Sequence, residues 1–244
     1  MSALRRAMFR LLSIQGTWNY ERMVGTGMAY AAEPLLEDLK EKDPARYQAA
    51  MVRAGEFFNS HPYLAGLALG AAVRAEYEGV PGPQIQRLRT ALCSPLGALG
   101  DQVFWTGVLP ALVGVALALA AAGHAVIGVV AFAVIYNALR LYTGSWALRT
   151  GLATGMQVGR AIGDSWLSRL ARLVGPLAGF AVGFAVPLVV RWLLWLGPAP
   201  ERWVAVPVAL VGLGLSLRFG AAVTSVRFAL AALILTVGWR WLAG

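Results

Sequence analysis

Residues 103–122 read Val103-Phe104-Trp105-Thr106-Gly107-Val108-Leu109-Pro110-Ala111-Leu112-Val113-Gly114-Val115-Ala116-Leu117-Ala118-Leu119-Ala120-Ala121-Ala122, without one ionisable side chain. Crossing the hydrocarbon core of a bilayer takes about 20 apolar residues in a helix, and this stretch supplies them. A second clean run covers 173–190, and shorter ones cover 203–217 and 228–237. The chain is 58% hydrophobic and 14% charged, against about 45–50% and about 25% for soluble domains. These runs predict spans near 103–122, 125–142, 173–193, 203–218 and 223–242, with Pro110, Pro187 and Pro207 placed to kink or break three of them. No β pattern competes. The expected fold is all-α: a polytopic integral membrane protein with re-entrant or interfacial helices in its N-terminal part.

Charge separates the chain into two regions, 1–102 and 103–244. Residues 1–101 hold ten of the twelve acids and eleven of the twenty-one bases, a net of +1; the remainder holds ten Arg against two acids, a net of +8. These Arg are scattered between apolar runs rather than clustered on a polar face. They read as span-flanking anchors, not as a nucleic-acid footprint. Arg149, Arg160, Arg169 and Arg172 mark the segment after the second span as cytoplasmic.

The first region is mixed. Leu4, Ala7, Met8, Leu11 and Leu12 recur at helical spacing, with Arg5, Arg6 and Arg10 elsewhere on the wheel. That pattern predicts an amphipathic helix on the membrane surface rather than a packed soluble helix. Arg10 interrupts the apolar stretch and no small-residue cleavage site follows, so a secretory signal is not expected. Asp43-Pro44 starts a helix expected to run to Phe58. Residues 64–73 are apolar but too few to span, which predicts a re-entrant or protein-buried helix. Val80-Pro81-Gly82-Pro83 is a turn before the next helix.

Gly151, Gly155, Gly159 and Gly163 recur every four residues, and Gly175, Gly179 and Gly183 repeat the spacing. On a helix this makes a smooth stripe for close helix packing, within the chain or between subunits.

Polar groups beside apolar helices carry the functional signal. They fall in Gln15-Gly16-Thr17-Trp18-Asn19-Tyr20-Glu21-Arg22-Met23, Glu56-Phe57-Phe58-Asn59-Ser60-His61-Pro62-Tyr63, Ser94-Pro95-Leu96-Gly97-Ala98-Leu99-Gly100-Asp101 and Tyr136-Asn137-Ala138-Leu139-Arg140. Amides, acids and aromatic faces are what a sugar requires: hydrogen-bond partners for hydroxyls and a ring to stack on. Other readings stay open. Trp18 and Tyr20 suit an interfacial belt, Asn59 and His61 suit helix caps, and Asp101 suits either a cap on a helix from Gln102 or a pairing with Arg140. Two His and one Cys make neither a metal site nor a phosphoryl carrier with an activating neighbour, and no catalytic motif is present. No catalytic residue, metal or cofactor is expected. Cys93 reads as a packing residue.

The four quoted segments, in order and spacing from about Ser13 to Gly163, resemble the IID membrane subunit of the mannose/fructose/sorbose phosphotransferase system. The family usually shows Gly-Pro-Leu-Ala-Gly-x-Gly-Asp where this chain has residues 94–101, and the chain looks shorter at both ends. The resemblance implies a partnership with a IIC membrane subunit in a bacterial cytoplasmic (inner) membrane. The pair encloses the site for a hexose such as mannose, fructose, sorbose or an amino sugar. Soluble IIA and IIB components carry the phosphoryl group, and the pairs assemble into higher oligomers. Carried over by motif, Gln15, Trp18, Asn19, Glu21, Asn59, His61 and Asp101 are the expected sugar-site or supporting residues. A non-transporting regulatory subunit of the same fold and a stand-alone secondary transporter are the alternatives.

Overall fold

A computed structural model describes residues 2–196; the expected spans at 203–218 and 223–242, with Pro207, lie outside the described residues. Among the described residues nine α-helices run α1 (Ala3–Leu12), α2 (Gly25–Lys42), α3 (Pro44–Ala54), α4 (Ala65–Tyr77), α5 (Gly82–Gly100), α6 (Leu109–Ala121), α7 (Ala125–Thr154), α8 (Val158–Gly163) and α9 (Trp166–Leu196). Among the described residues the only β pairings are two isolated bridges, Asn19 with Met23 and Met23 with Phe58. The chain divides into compact units at Met1–Val186 and Pro187–Gly244. The division expected at 102/103 instead falls inside a continuous helix, because a π-helical run over Asp101–Val108 joins α5 to α6.

Among the described residues, Gly82–Ala121 and Ala125–Ala185 are the two stretches long and apolar enough to cross a membrane, with mean hydropathy of 2.1 and 1.8 in their most apolar windows. The first expected span is therefore the distal half of a 40-residue helix. Pro110 does not break it. Proline has no N–H to donate, and the turns just before it take the wider π register, with the Leu109 N–H reaching back to the Phe104 carbonyl. The second expected span continues past 142 to Thr154, and α9 passes through Pro187 without ending there.

The short apolar helix is the centre of the molecule. In α4, Ala65, Leu67, Ala68 and Ala71 are fully buried, so of the two readings for this segment the protein-buried one describes its surroundings. Glycines let it press against α7. A Cβ on Gly66 would lie 2.9 Å from the Leu148 nitrogen, one on Gly70 2.5 Å from the Leu152 nitrogen, and one on Gly151 2.3 Å from the Leu67 carbonyl oxygen. The remaining glycine stripe is interrupted. Gly155 has φ of +51°, which stops α7 after Thr154 and breaks the four-residue phase. Among the described residues, Gly159, Gly163, Gly175, Gly179 and Gly183 have no atom within 4 Å of a built Cβ. Helix α9 packs through a different face: Leu167, Ala171, Val174 and Ala178 are buried, with Gln102 donating to the Ala171 carbonyl at 3.2 Å and Gly107 lying against Val174.

Helix α1 packs on α2. Ala7 and Leu11 are buried, Arg6 pairs with Glu37 at 2.7 Å, and Arg10 pairs with Glu33 and stacks on Tyr30. The packed arrangement that the sequence reading set second is thus present, while Phe9 and Leu12 stay exposed. The cap at Asp43 forms as expected, its carboxylate accepting the Arg46 N–H at 3.0 Å, but α3 ends at Ala54, four residues before Phe58.

Gly70→Leu or Gly151→Leu drives a side chain into backbone. Each is expected to cost at least about 1–3 kcal/mol, the range for overpacked cores, while Gly159→Ala leaves stability unchanged. Thermal unfolding of the detergent-purified variants reads the difference.

Candidate functional site

The loop between α3 and α4 is set from behind by one arginine. Arg89 on α5 is 1% exposed and donates to the carbonyls of Arg53, Ala54 (2.9 Å) and Glu56 (3.3 Å). The Arg53 and Ala54 oxygens belong to the last turn of α3, where a helix leaves carbonyls short of N–H partners, and the Glu56 oxygen follows in the loop, so the guanidinium caps the helix and directs the chain beyond it. Arg53 in turn forms a bidentate pair with buried Glu76 of α4, both contacts at 2.8 Å. From the other side the 19–23 turn pairs with the loop: the Val24 N–H donates to the Phe58 carbonyl at 3.1 Å and the Phe58 N–H to the Arg22 carbonyl at 3.3 Å. Gly25 is required there, since a Cβ would come 2.3 Å from the Glu56 oxygen.

Beyond Phe58 the loop lines an open cavity of about 510 Å³, inside the roughly 300–1,000 Å³ range of small-molecule sites. Gln15, Asn59, His61 and Asp101 all contribute to its wall. The structure therefore brings together four of the seven site residues expected from sequence. Trp18, Asn19 and Glu21 do not line it. Trp18 packs edge-on against Tyr20, Glu21 is exposed, and the Asn19 carboxamide oxygen accepts the N–H groups of Glu21 (3.1 Å) and Arg22 (2.9 Å). Asn19 thus shapes the turn that holds Phe58.

One helical face completes the wall. Cys93, Gly97, Asp101 and Trp105 follow one another every four residues and all line the cavity. Trp105 and Phe57 are aromatic surfaces that the expected site list omitted; the four-residue spacing across 93–105 is the signal that would have found Trp105. Asp101 lies within the continuous helix and does not cap a helix from Gln102. Nor does it meet Arg140, which donates to the Leu12 carbonyl at 3.4 Å and lies 5.2 Å from the Tyr63 ring centre.

His61 is the buried member of the wall, 2% exposed. It stacks on Phe104 at 5.1 Å and meets Tyr63 edge-on at 4.7 Å. Gly100 makes this seat: a Cβ there would fall 2.1 Å from the His61 Cβ. Burial pushes the imidazole down to a pKa of about 4, so the ring is neutral near pH 7. Its Nδ1 accepts the Tyr63 N–H at 3.3 Å, which leaves the proton on Nε2. Nε2 is buried without a hydrogen-bond partner among the described residues. Tyr63 is itself fixed by its hydroxyl's 3.2 Å contact with the Tyr136 hydroxyl. All four sequence segments thus reach one locus: Gln15, the 57–63 loop and the 94–105 face line the cavity, and Tyr136 and Arg140 brace Tyr63. No cluster of three or more His, Cys, Asp or Glu able to hold a metal occurs among the described residues.

The profile of the PTS system mannose/fructose/sorbose family IID component matches residues 1–243. The chain belongs to this IID family. It is 28% identical over 196 residues to the mannose-specific EIID component of Escherichia coli K12, covering 78% of this chain and 68% of that protein. It is 29% identical over 182 residues to the fructose permease IID component of Bacillus subtilis 168, with coverage of 72% and 64%. It is 29% identical over 183 residues to the sorbose-specific EIID component of Klebsiella pneumoniae, with coverage of 73% and 65%. The chain thus spans about two thirds of these relatives' lengths. Among solved structures, it is similar to a chain of the mannose transporter ManYZ in complex with a microcin, at 27% identity and TM-score 0.56, covering 76% of this chain and 69% of that one. A second membrane protein matches at 27% identity and TM-score 0.65, with coverage of 76% and 70%. The IID fold assignment, all-α and membrane-embedded, agrees with the sequence expectation.

Two outcomes test the seat of His61. Gly100→Ala is expected to destabilise this IID protein by about 1–3 kcal/mol, whereas Gly97→Ala, whose Cβ would lie 4.0 Å from the Ser60 Cα, is tolerated. The second concerns pH. The folded pKa of about 4 lies below the ordinary 6.5, so the unfolded chain takes up the proton first. His61 then contributes constant stability above about pH 6.5, progressively less down to about pH 4, and no further change below. The difference in unfolding temperature between wild type and His61→Gln should follow that curve.

Proposed function

We propose that this chain is the IID subunit of a phosphoenolpyruvate-dependent sugar transporter in a bacterial cytoplasmic membrane. It pairs there with a IIC membrane subunit to bind and translocate a hexose. The carrying observation is the convergence of Gln15, Asn59, His61 and Asp101 on one open cavity beside Trp105 and Phe57. The relatives are named for mannose, fructose and sorbose, which supports a hexose or a closely related sugar.

The chemistry of the wall suits such a ligand. Asp101 accepts two hydroxyls, Asn59 and Gln15 both donate and accept, and an aromatic face at Trp105 or Phe57 covers the apolar side of a sugar ring. The Nε2–H of His61 is buried without a partner among the described residues, so His61 shapes the wall through its ring rather than as an exposed donor. Trp18, Asn19 and Glu21 belong to the surrounding turn in this reading, with Asn19 as a positioning residue. The cavity is open, and the IIC partner closes it. Soluble IIA and IIB components supply the phosphoryl group. The open glycine stripe of α9 is a surface for helix packing within a larger assembly of IIC–IID pairs.

Asn59→Ala and Asp101→Asn are each expected to raise the KM for sugar by about fivefold to thirtyfold, the loss of one or two hydrogen bonds. Membrane insertion stays normal. Phosphoenolpyruvate-dependent sugar phosphorylation, in membranes containing the co-expressed IIA, IIB and IIC components, reads this. Unchanged KM in both variants would remove the cavity from the sugar path. Uptake by this chain alone, without copurifying IIC, would favour a stand-alone transporter.

A further inference from the structure

A second cavity, about 370 Å³, lies between α1, the start of α4 and α7. Its walls are apolar for the most part, with Met8, Phe9, Leu12, Tyr63 and Leu141 among them. Phe9, Leu12 and Leu141 are exposed at 62%, 41% and 51%, so the cavity opens on an apolar surface. Two arginines, Arg5 and Arg140, line it and no acid does. The other two arginines of α1, Arg6 and Arg10, have carboxylate partners on α2. Neither Arg5 nor Arg140 has one among the described residues. Arg140 is half-buried, and its Nε has no hydrogen-bond acceptor among the described residues.

Position along α7 adds a second constraint. Residues 125–139 carry no charge, and Val126, Val129, Val130 and Val134 are exposed there. Arg140 is the first cation after this apolar stretch, the level at which a long side chain reaches the lipid headgroups. An apolar groove that ends at two uncompensated cations has the complementarity of an amphiphile with a negative head.

We propose that this cavity binds an anionic phospholipid, with an acyl chain against Phe9, Leu12 and Leu141 and the phosphate on Arg5 and Arg140. Arg140 is then the anchor, because its guanidinium is held against the Tyr63 ring and the Leu12 carbonyl. Gly144 lines the same cavity and has no atom within 4 Å of a built Cβ. A side chain there enters the groove from the α7 wall, and its Cβ meets no atom.

The test is native mass spectrometry of the full chain released from nanodiscs holding equal parts of phosphatidylglycerol and phosphatidylcholine. Wild type is expected to retain phosphatidylglycerol in preference. Arg140→Gln and Arg5→Gln should each reduce that preference about fivefold, the effect of one basic residue near an anionic surface. Gly144→Leu should lose bound lipid of both kinds at unchanged unfolding temperature. If Arg140→Gln does not fold, Arg5→Gln and Gly144→Leu carry the test. The proposal is overturned by equal retention of the two lipids in wild type, or by full preference in both arginine variants. Lipid kept by Gly144→Leu also overturns it. So does a photo-crosslink from position 141 in native membranes that captures a polypeptide in place of lipid.

Discussion

Helix α4 has thirteen residues and ten of them are buried. At about 1.5 Å per residue it is roughly 20 Å long, short of the roughly 30 Å hydrocarbon core. It is also too apolar to face water, so its burial has to come from other helices. Close van der Waals packing against α7 makes that contact. Gly66, Gly70 and Gly151 make that packing possible by letting α4 and α7 meet backbone to backbone. The rest of the described structure is arranged around this contact: α3 and α5 attach through the Arg53–Glu76 pair and Arg89, and α1 and α2 close the remaining side.

The same contact positions the cavity. Loop 55–64 must leave α3, cross the face of α5 and enter α4, and each step has a physical restraint. Arg89 holds the α3 end, the Arg22–Phe58–Val24 backbone bonds hold the middle, and the His61–Phe104 stack over Gly100 holds the exit. Each of these interactions involves a buried group whose loss leaves something unsatisfied: carbonyls, N–H groups or a seat for a ring. A loop restrained at three points holds Asn59 in the cavity wall in a fixed direction. The polar groups of this region therefore sort by burial. Arg89 and Glu76 build the frame, while Asn59, Asp101 and Gln15 stay accessible in the wall.

Much of this was legible in the sequence, and the misses have specific causes. Membrane residence follows from apolar run length, and the Asp43-Pro44 start and the short apolar α4 follow from local rules. Four of the seven expected site residues meet because the motifs that carry them are brought together in space. Trp18 and Glu21 share a motif with Gln15 but do not line the cavity, and a one-dimensional motif does not tell wall from support. The glycine stripe looked continuous because a four-residue period is visible in sequence, whereas the positive φ at Gly155 that interrupts it is not. The Asp101–Arg140 pairing failed because two opposite charges in a sparse sequence attract attention, yet each lies at a different cavity. Gly100 gave no sign of its role, since only the approach of His61 makes it indispensable.

His61 also bears on where phosphoryl chemistry takes place. A phosphoryl-carrying imidazole needs a free ring nitrogen with room for a dianion and a nearby cation. Here Nδ1 already accepts the Tyr63 N–H, Nε2 holds the proton and is buried, and the ring is sandwiched between Phe104, Tyr63 and Trp105. Arg140, the cation of this neighbourhood, sits against Tyr63 and faces the second cavity rather than the imidazole. A phosphoryl group on either nitrogen would have to displace the Tyr63 contact or part the aromatic stack, each held by the packing of α4 on α7. The histidine is thus held in one place by its ring contacts, with neither nitrogen open to a phosphoryl group.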